Sequence, residues 1–426
     1  MWCYDDGMEP IEPSRRLPAR SLDFWFDYTC PFAYLASTRV RELGAEMGVT
    51  PSYRPMLLGG VFRASGTPQN LAGTLSPSKA SHNFADMKRW AARFGVPLTM
   101  PQAHPMRSVE ALRATLATGV DPAVVDGFYE AYWVHNRDIA NAEVIGEVVE
   151  RAGHDRVAVL AKMASTEIKD DLRRRTEEAV SLGIFGAPTF IVDGEHLYWG
   201  QDRMTFVRGA RPEHETEGVP TPRVAPEPVH ERIIEVYWDF SSPFAYLGQS
   251  QIERLAAQAS ARVVWRPVLL GGLFRAVGSP TVPIATFSES KRRHVMLDLG
   301  RWAAYWGVPF RFPAKFPIRS VRALRVWLAL PEEHRDAFRT AVFRSYWEEG
   351  RDIEVDAVLA ECIGDESVAK AAFAAADSDA VKEGLRAETE AAAARGVFGV
   401  PTFVVGDELY WGQDRLELAL EALTGA

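Results

Sequence analysis

The stretch FDYTCPFAYLA, residues 26–36, returns as WDFSSPFAYLG at residues 238–248, with Cys30 in the first answered by Ser242 in the second. Working outward, RPMLLGGVFRASG (54–66) and RPVLLGGLFRAVG (266–278) agree at ten of thirteen positions, and the offset of 212 residues is the same. Near the end of each copy, APTFIVDGEHLYWGQDR (187–203) is matched by VPTFVVGDELYWGQDR (400–415), one residue shorter in its turn. Two copies at so long a period indicate a duplicated domain, not a solenoid of short repeats. The sequence divides into a flexible leader (1–20), a first copy (21–209), a linker rich in proline and acids (210–231) and a second copy (232–426).

Within a copy, SLDFWFD and IIEVYWDF are short, aromatic or β-branched and partly alternating, the pattern of strands. After the turn, apolar residues at Phe32, Leu35, Ala36, Val40, Leu43 and Met47 fall close to helical spacing and predict one helix. TPSYRPM or RVVWRPV then reads as a second strand, and residues 76–182 read as mainly helical. PTFIVD and HLYWG, joined at Asp193-Gly194, predict a hairpin, and a closing helix is expected from QDR. Strand, helix, strand, a helical block, hairpin and helix is the order of a thioredoxin fold with a helical insertion. The fold class is therefore α/β, with two such domains.

At 426 residues with 47% hydrophobic and 25% charged content, the chain is long enough for two cores of ordinary globular composition. Its net charge of −9 argues against general nucleic-acid or anionic-membrane binding. No apolar run is long enough to span a bilayer. Cys3, Cys30 and Cys362 are too few and too scattered for a disulfide framework, so a cytoplasmic, reduced protein is expected. No metal-ligand cluster, phosphate loop or serine-hydrolase elbow is present. Two similar faces joined by a linker of about 22 residues are expected to associate as an internal pseudo-dimer at high effective concentration.

Chemistry concentrates at the opening turn. Pro31 and Pro243 suit the first helical position, which makes Cys30 and Ser242 the N-caps, facing free backbone N–H groups and the positive end of the helix dipole. An anion is stabilised there. A Cys30 thiolate would gain a lowered pKa, whereas Ser242 would donate a hydrogen bond to the thiolate of a bound ligand. Plain alternatives are a helix-capping serine and an inert buried thiol. Both turns are expected to face a cleft bordered by Ala187 and Val400. The residues before Pro188 and Pro401 would offer backbone groups to an extended ligand. In WGQDR, Gln201, Asp202, Gln413 and Asp414 would fix an ammonium group, the structural alternative for each Asp being an N-cap. Trp302, Trp306 and Phe274 either line an apolar substrate pocket or are core, and Arg107 and Arg319 would meet a substrate carboxylate.

Taken together, the strand followed by D(F/Y)xSP(F/Y)xYL, the helical insertion, FG(V/A)PT and WGxDR resemble the 2-hydroxychromene-2-carboxylate isomerases and kappa-class glutathione transferases, a branch of the DsbA-like thioredoxin folds. The resemblance covers nearly all of each copy. It implies glutathione, or another low-molecular-weight thiol, as cofactor, and cis Pro188 and Pro401. The family's catalytic serine falls on Ser242 and, in the first copy, on Cys30. The residue ahead of the family's proline falls on Ala187 and Val400, its γ-glutamyl-binding pair on Gln201-Asp202 and Gln413-Asp414, and a lysine for the glycine carboxylate on Lys79 and Lys291. Thr67 and Ser279 stand where the family often has Asn, which removes one expected contact. Ala33 and Ala245 fill the fourth position of a would-be C-x-x-C motif, so dithiol exchange is not expected. The implied activity is glutathione-dependent isomerisation of, or transfer to, a small aromatic or unsaturated acid. The alternatives are a monothiol oxidoreductase using Cys30 and a non-catalytic, pseudo-dimeric thiol-binding protein.

Overall fold

The computed structural model describes residues 19–209 and 232–425. The expected linker and all but the last two residues of the expected leader lie outside the described residues. Each copy is built on a four-stranded sheet. In the first, β1 (Leu22–Phe26), β2 (Ser52–Pro55), β3 (Thr189–Val192) and β4 (His196–Trp199) lie in the order β2-β1-β3-β4. The second repeats this with β5 (Arg232–Trp238), β6 (Ala261–Pro267), β7 (Thr402–Val405) and β8 (Glu408–Trp411), ordered β6-β5-β7-β8. β1 runs parallel to β2 and antiparallel to β3, placing Phe24 between Tyr53 and Phe190. Helices cover the sheet, so the central strand is apolar almost throughout and Phe24, Trp25 and Phe26 are fully buried.

The helical insertion holds the opening turn from behind. The Trp133 indole donates to the Tyr28 carbonyl at 2.8 Å, and Trp347 donates to Phe240 at 2.9 Å. Asp27, at the end of β1, is buried and accepts from the amides of Thr29 (3.0 Å) and Leu58 (2.8 Å). Asp239 does the same with Ser241 (2.9 Å) and Leu270 (2.7 Å). Burial pushes both carboxyls above the usual range, against the pull of those hydrogen bonds. These two aspartates therefore tie the turn to the start of the helix after the second strand.

One expected helix is divided. The first copy has helices Pro31–Ser37 and Val40–Met47, whereas the second has a single helix Pro243–Gln258. In the first copy the hydroxyls of Ser37 and Thr38 both bond back to carbonyls three residues earlier, which loosens a helix; the second copy has only Ser250 doing so. The expected closing helix begins later than QDR, as a 3-10 turn over Gln201–Arg203 followed by a helix Met204–Arg208.

The two copies pack into a pseudo-dimer through their long insertion helices, Pro77–Phe94 and Glu289–Trp306. Arg89 donates to the Leu409 carbonyl at 2.8 Å and, in mirror fashion, Arg301 donates to Leu197 at 2.9 Å. Phe206 of the first copy meets Trp302 of the second with ring centroids 4.8 Å apart. Trp302 therefore belongs to the seam between copies.

Candidate functional site

Each opening turn leads from the end of a central strand into a helix with proline at its first position. Ser242 is the N-cap of its helix: its Oγ accepts from the Ala245 amide at 3.1 Å, while its hydroxyl donates to the Val400 carbonyl at 3.0 Å. Cys30 has the same extended backbone but makes no capping bond, and its thiol donates to the Ala187 carbonyl at 3.0 Å. The peptide bonds Ala187-Pro188 and Val400-Pro401 are cis. Among the described residues, neither the Ala187 nor the Val400 amide has a hydrogen-bond partner. Each turn is thus joined by one hydrogen bond to the loop expected to bind a ligand.

Two expectations are corrected here. Cys30 is only 7% exposed and Ser242 only 3%, so both side chains lie beneath the surface instead of facing an open cleft. Two grooves, of about 670 and about 430 Å³, lie elsewhere: one along the seam, lined by Ser78, His82, Arg89, Gly396 and Glu408, the other by Gln102, Arg107 and Asn136. The expected fall in the Cys30 pKa is also reversed. Burial pushes the thiol up to about 12, outweighing the downward pull of the Ala33 and Phe32 amides. Asp27 nearby adds to the rise.

The WGQDR residues meet at the pseudo-twofold axis. Arg203 reaches Asp202 (2.9 Å), Asp298 (3.0 Å) and Asp414 (2.7 Å). Arg415 reaches Asp86 (2.8 Å), Asp202 (2.7 Å) and Asp414 (3.2 Å). Neither Asp caps a helix; the ion pairs take both side chains. Burial pushes Asp202 up, but Arg203 and Arg415 outweigh it and hold the carboxyl below its usual range. Asp86 is shifted upward by burial in spite of Arg415. Gln413 accepts from the Trp306 indole at 2.7 Å, whereas the Gln201 Nε2 is buried without a partner. Phe94 stands where the second copy has Trp306, so the Gln201 Oε1 lacks the indole donor that Gln413 has.

Lys79 and Lys291 cross between copies. The Lys79 ammonium lies 4.9 Å from the Trp411 ring, and that of Lys291 lies 5.7 Å from Trp199. Burial lowers both pKa values, that of Lys291 to about 8. Arg107 pairs with Glu110, and the Arg319 amide donates to Glu354, on the exposed surface. Sequence reading did not single out His82, Asp86, His294 or Asp298. Their signal was present: both pairs are four residues apart on corresponding helices and obey the same 212-residue offset.

Comparison with known proteins agrees with this architecture. The DSBA-like thioredoxin domain matches residues 21–210 and again 233–424, so the chain belongs to that family, with the domain present in tandem. A 2-hydroxychromene-2-carboxylate isomerase of Pseudomonas putida is 32% identical over 194 residues, which span 45% of this chain and 94% of that protein. Glutathione S-transferase kappa 1 of Homo sapiens is 25% identical over 204 residues, 44% of this chain and 89% of the relative. The solved structure of a 2-hydroxychromene-2-carboxylate isomerase shares 31% identity, covers 45% of this chain and 94% of its own, and gives a TM-score of 0.40. Among the described residues, no helix is long and apolar enough to cross a membrane.

Proposed function

We propose that the protein is a glutathione-dependent isomerase or transferase for a small aromatic or unsaturated acid, with its chemistry centred on Ser242. The observation that carries this reading is the Ser242 hydroxyl, held at a helix N-terminus and one hydrogen bond from the carbonyl that precedes Pro401. The residues fit a thiol peptide. The Val400 amide is an unused donor, the Ser242 hydroxyl has a hydrogen to redirect, and among the described residues Lys79 forms no ion pair. Bound there, glutathione would supply a thiolate for reversible addition to an activated double bond.

The chain's own part is to keep that sulfur anionic and to exclude water. Ser242 exchanges the Val400 carbonyl for the sulfur as its acceptor, while the Ala245 amide keeps the hydroxyl oriented. Asp239 fixes the turn through Ser241 and Leu270, so the donor does not have to be organised during reaction. Because Ser242 and Val400 are buried, this reading requires the loop around Val400 to part from the turn when the ligand enters. The Cys30 oxidoreductase alternative loses support, because a thiol pushed up to about 12 is almost wholly protonated at neutral pH.

Replacing Ser242 by Ala tests the reading. Glutathione-dependent turnover is expected to fall about a hundredfold, in line with the loss of one preorganised donor to a developing anion. Cys30→Ala is expected to retain most of it. Full activity in Ser242→Ala, and in the double variant, would overturn the proposal.

A further inference from the structure

The larger groove, of about 670 Å³, shares no lining residue with either opening turn or with the loops around Ala187 and Val400. Its size suits a small molecule. One wall is the helix Pro77–Phe94, where Ser78, His82, Ala85 and Arg89 recur at intervals of three and four residues and so share a face. The facing wall is the second copy's Gly396 and the end of its hairpin at Asp407, Glu408 and Leu409. Small side chains keep the helix wall low. At the 212-residue offset, the other long helix carries Arg293 in place of Ser81 and Leu297 in place of Ala85. The mirrored surface is therefore bulkier, and the two sides differ in what they can admit.

His82 supplies the observation that points to a ligand. It is only 8% exposed, and its Nε2 accepts from the Trp411 amide at 3.0 Å. Burial, with Arg415, Arg89 and Lys79, lowers its pKa to about 3 against the pull of Asn83. The ring is therefore neutral, and its single proton sits on Nδ1. Among the described residues, no acceptor lies in hydrogen-bonding geometry with that N–H. A buried donor left unmade is costly, and an acceptor brought by a ligand removes the cost.

The charges along the groove define what it takes. Arg89 is held by Glu408 at 3.0 Å and by the Leu409 carbonyl at 2.8 Å, and Arg395 by Glu235 and the Gly406 carbonyl. Lys88 makes no ion pair among the described residues, its ammonium lying 4.3 Å from the Phe84 ring. These three cations against Asp407 and Glu408 leave the lining net positive, while the two exposed carboxylates oppose a multiply charged anion. Pro77, Ala85 and Leu409 offer apolar contact.

The geometry points to a second binding site in this groove, for a small organic molecule with one carboxylate and an apolar body. The carboxylate accepts from the His82 Nδ1–H between the hydroxyls of Ser78 and Ser81, with Lys88 as counter-charge. The site is separate from the thiol reading and does not depend on it.

The test titrates the full chain, carrying isotope-labelled histidine, with benzoate and follows the imidazole N–H signals by NMR. His82→Asn identifies the His82 signal by its loss. Benzoate is expected to shift that signal and to leave the His294 signal in place. Ser81→Arg with Ala85→Leu gives this wall the residues of its mirror and should weaken binding at least about tenfold through steric exclusion. Ala85→Leu alone, a milder change, should weaken it in the same direction. Lys88→Gln, on the surface, should weaken it about threefold at low salt, the scale of one exposed ion pair. Ser242→Ala should leave binding unchanged, which separates this site from the thiol site. The inference is overturned by an unshifted His82 signal, by an equal shift at His294, or by unchanged binding in the Ala85→Leu or Lys88→Gln variants. Loss of binding in Ser242→Ala, or tighter binding of inorganic phosphate than of benzoate, overturns it as well.

Discussion

Cys30 and Ser242 hold equivalent places in two turns that share an extended backbone, a bond to the carbonyl before a cis proline, and burial, yet burial has opposite consequences for them. A serine hydroxyl stays neutral, so burying it costs little once Ala245 and Val400 supply its hydrogen bonds. A cysteine is useful as a nucleophile only when ionised, and burial opposes that charge. The helix N-terminus contributes up to about 2 kcal/mol in a favourable buried setting. The rise of the Cys30 pKa from 9.0 to about 12 corresponds to about 4 kcal/mol against ionisation, so burial prevails. The same cradle thus suits a hydroxyl donor and silences a thiol.

The largest effect that can break the symmetry of the two halves lies in the ionic cluster. Removing Arg415 by Arg415→Ala leaves the buried Asp86 and Asp202 short of a partner, and Arg203→Ala does the same for Asp298 and Asp414. Each is expected to cost about 3–5 kcal/mol in urea-unfolding free energy. Arg386→Ala, which removes an exposed pair with Glu383, should cost less than about 1 kcal/mol. A strongly unequal result for Arg203 and Arg415 would show that the copies do not share the cluster evenly.

Next in size is the reactivity of Cys30. With its pKa at about 12, alkylation by iodoacetamide at pH 7.5 should run about a thousandfold slower than for a free cysteine. Urea-unfolded protein should react at the free rate. Rapid labelling of the native chain would mean that the turn opens readily, and would return the oxidoreductase reading to contention.

A smaller effect concerns pH. His82 and His294 are buried and neutral, with pKa values lowered to about 3 and about 4, chiefly by desolvation, from 6.5. The unfolded chain takes up protons first as pH falls, so stability is intact above 6.5 and is lost between 6.5 and about 4. Each histidine should contribute about 1.4 kcal/mol of loss per pH unit in that window. Raised carboxyls such as Asp86 act in the opposite sense, so the comparison is between the parent and a His82→Asn, His294→Asn double variant, which should show a flatter profile. Equal slopes would exclude the histidines as the source.

Much of the fold was legible because its signals are local. Strand alternation in LDFWF, Asp193-Gly194 in the hairpin and Pro31 after Cys30 each act over a few residues. The site was legible in its membership but not in its arrangement. WGQDR identified Asp202 and Asp414, yet nothing within either copy shows that Arg203 and Arg415 bridge the two. Lys79 was visible as a matched lysine, while its place over Trp411 depends on how the copies dock. Exposure was misjudged for a related reason: whether a turn lies open or closed is decided by loops distant in sequence. The divided helix at Thr38 was hidden because Ser37 and Thr38 sit within an otherwise regular apolar pattern.

Housing both halves in one polypeptide frees them from having to be identical. A dimer assembled from two copies of a single gene product would repeat every residue of its opening turn, so one turn could not carry cysteine while the other carries serine. Here a change in one half has no automatic mirror image, while interlocked arginines and aspartates hold the halves in register. The molecule is a mixed dimer by construction, able to vary one centre while the other keeps its chemistry.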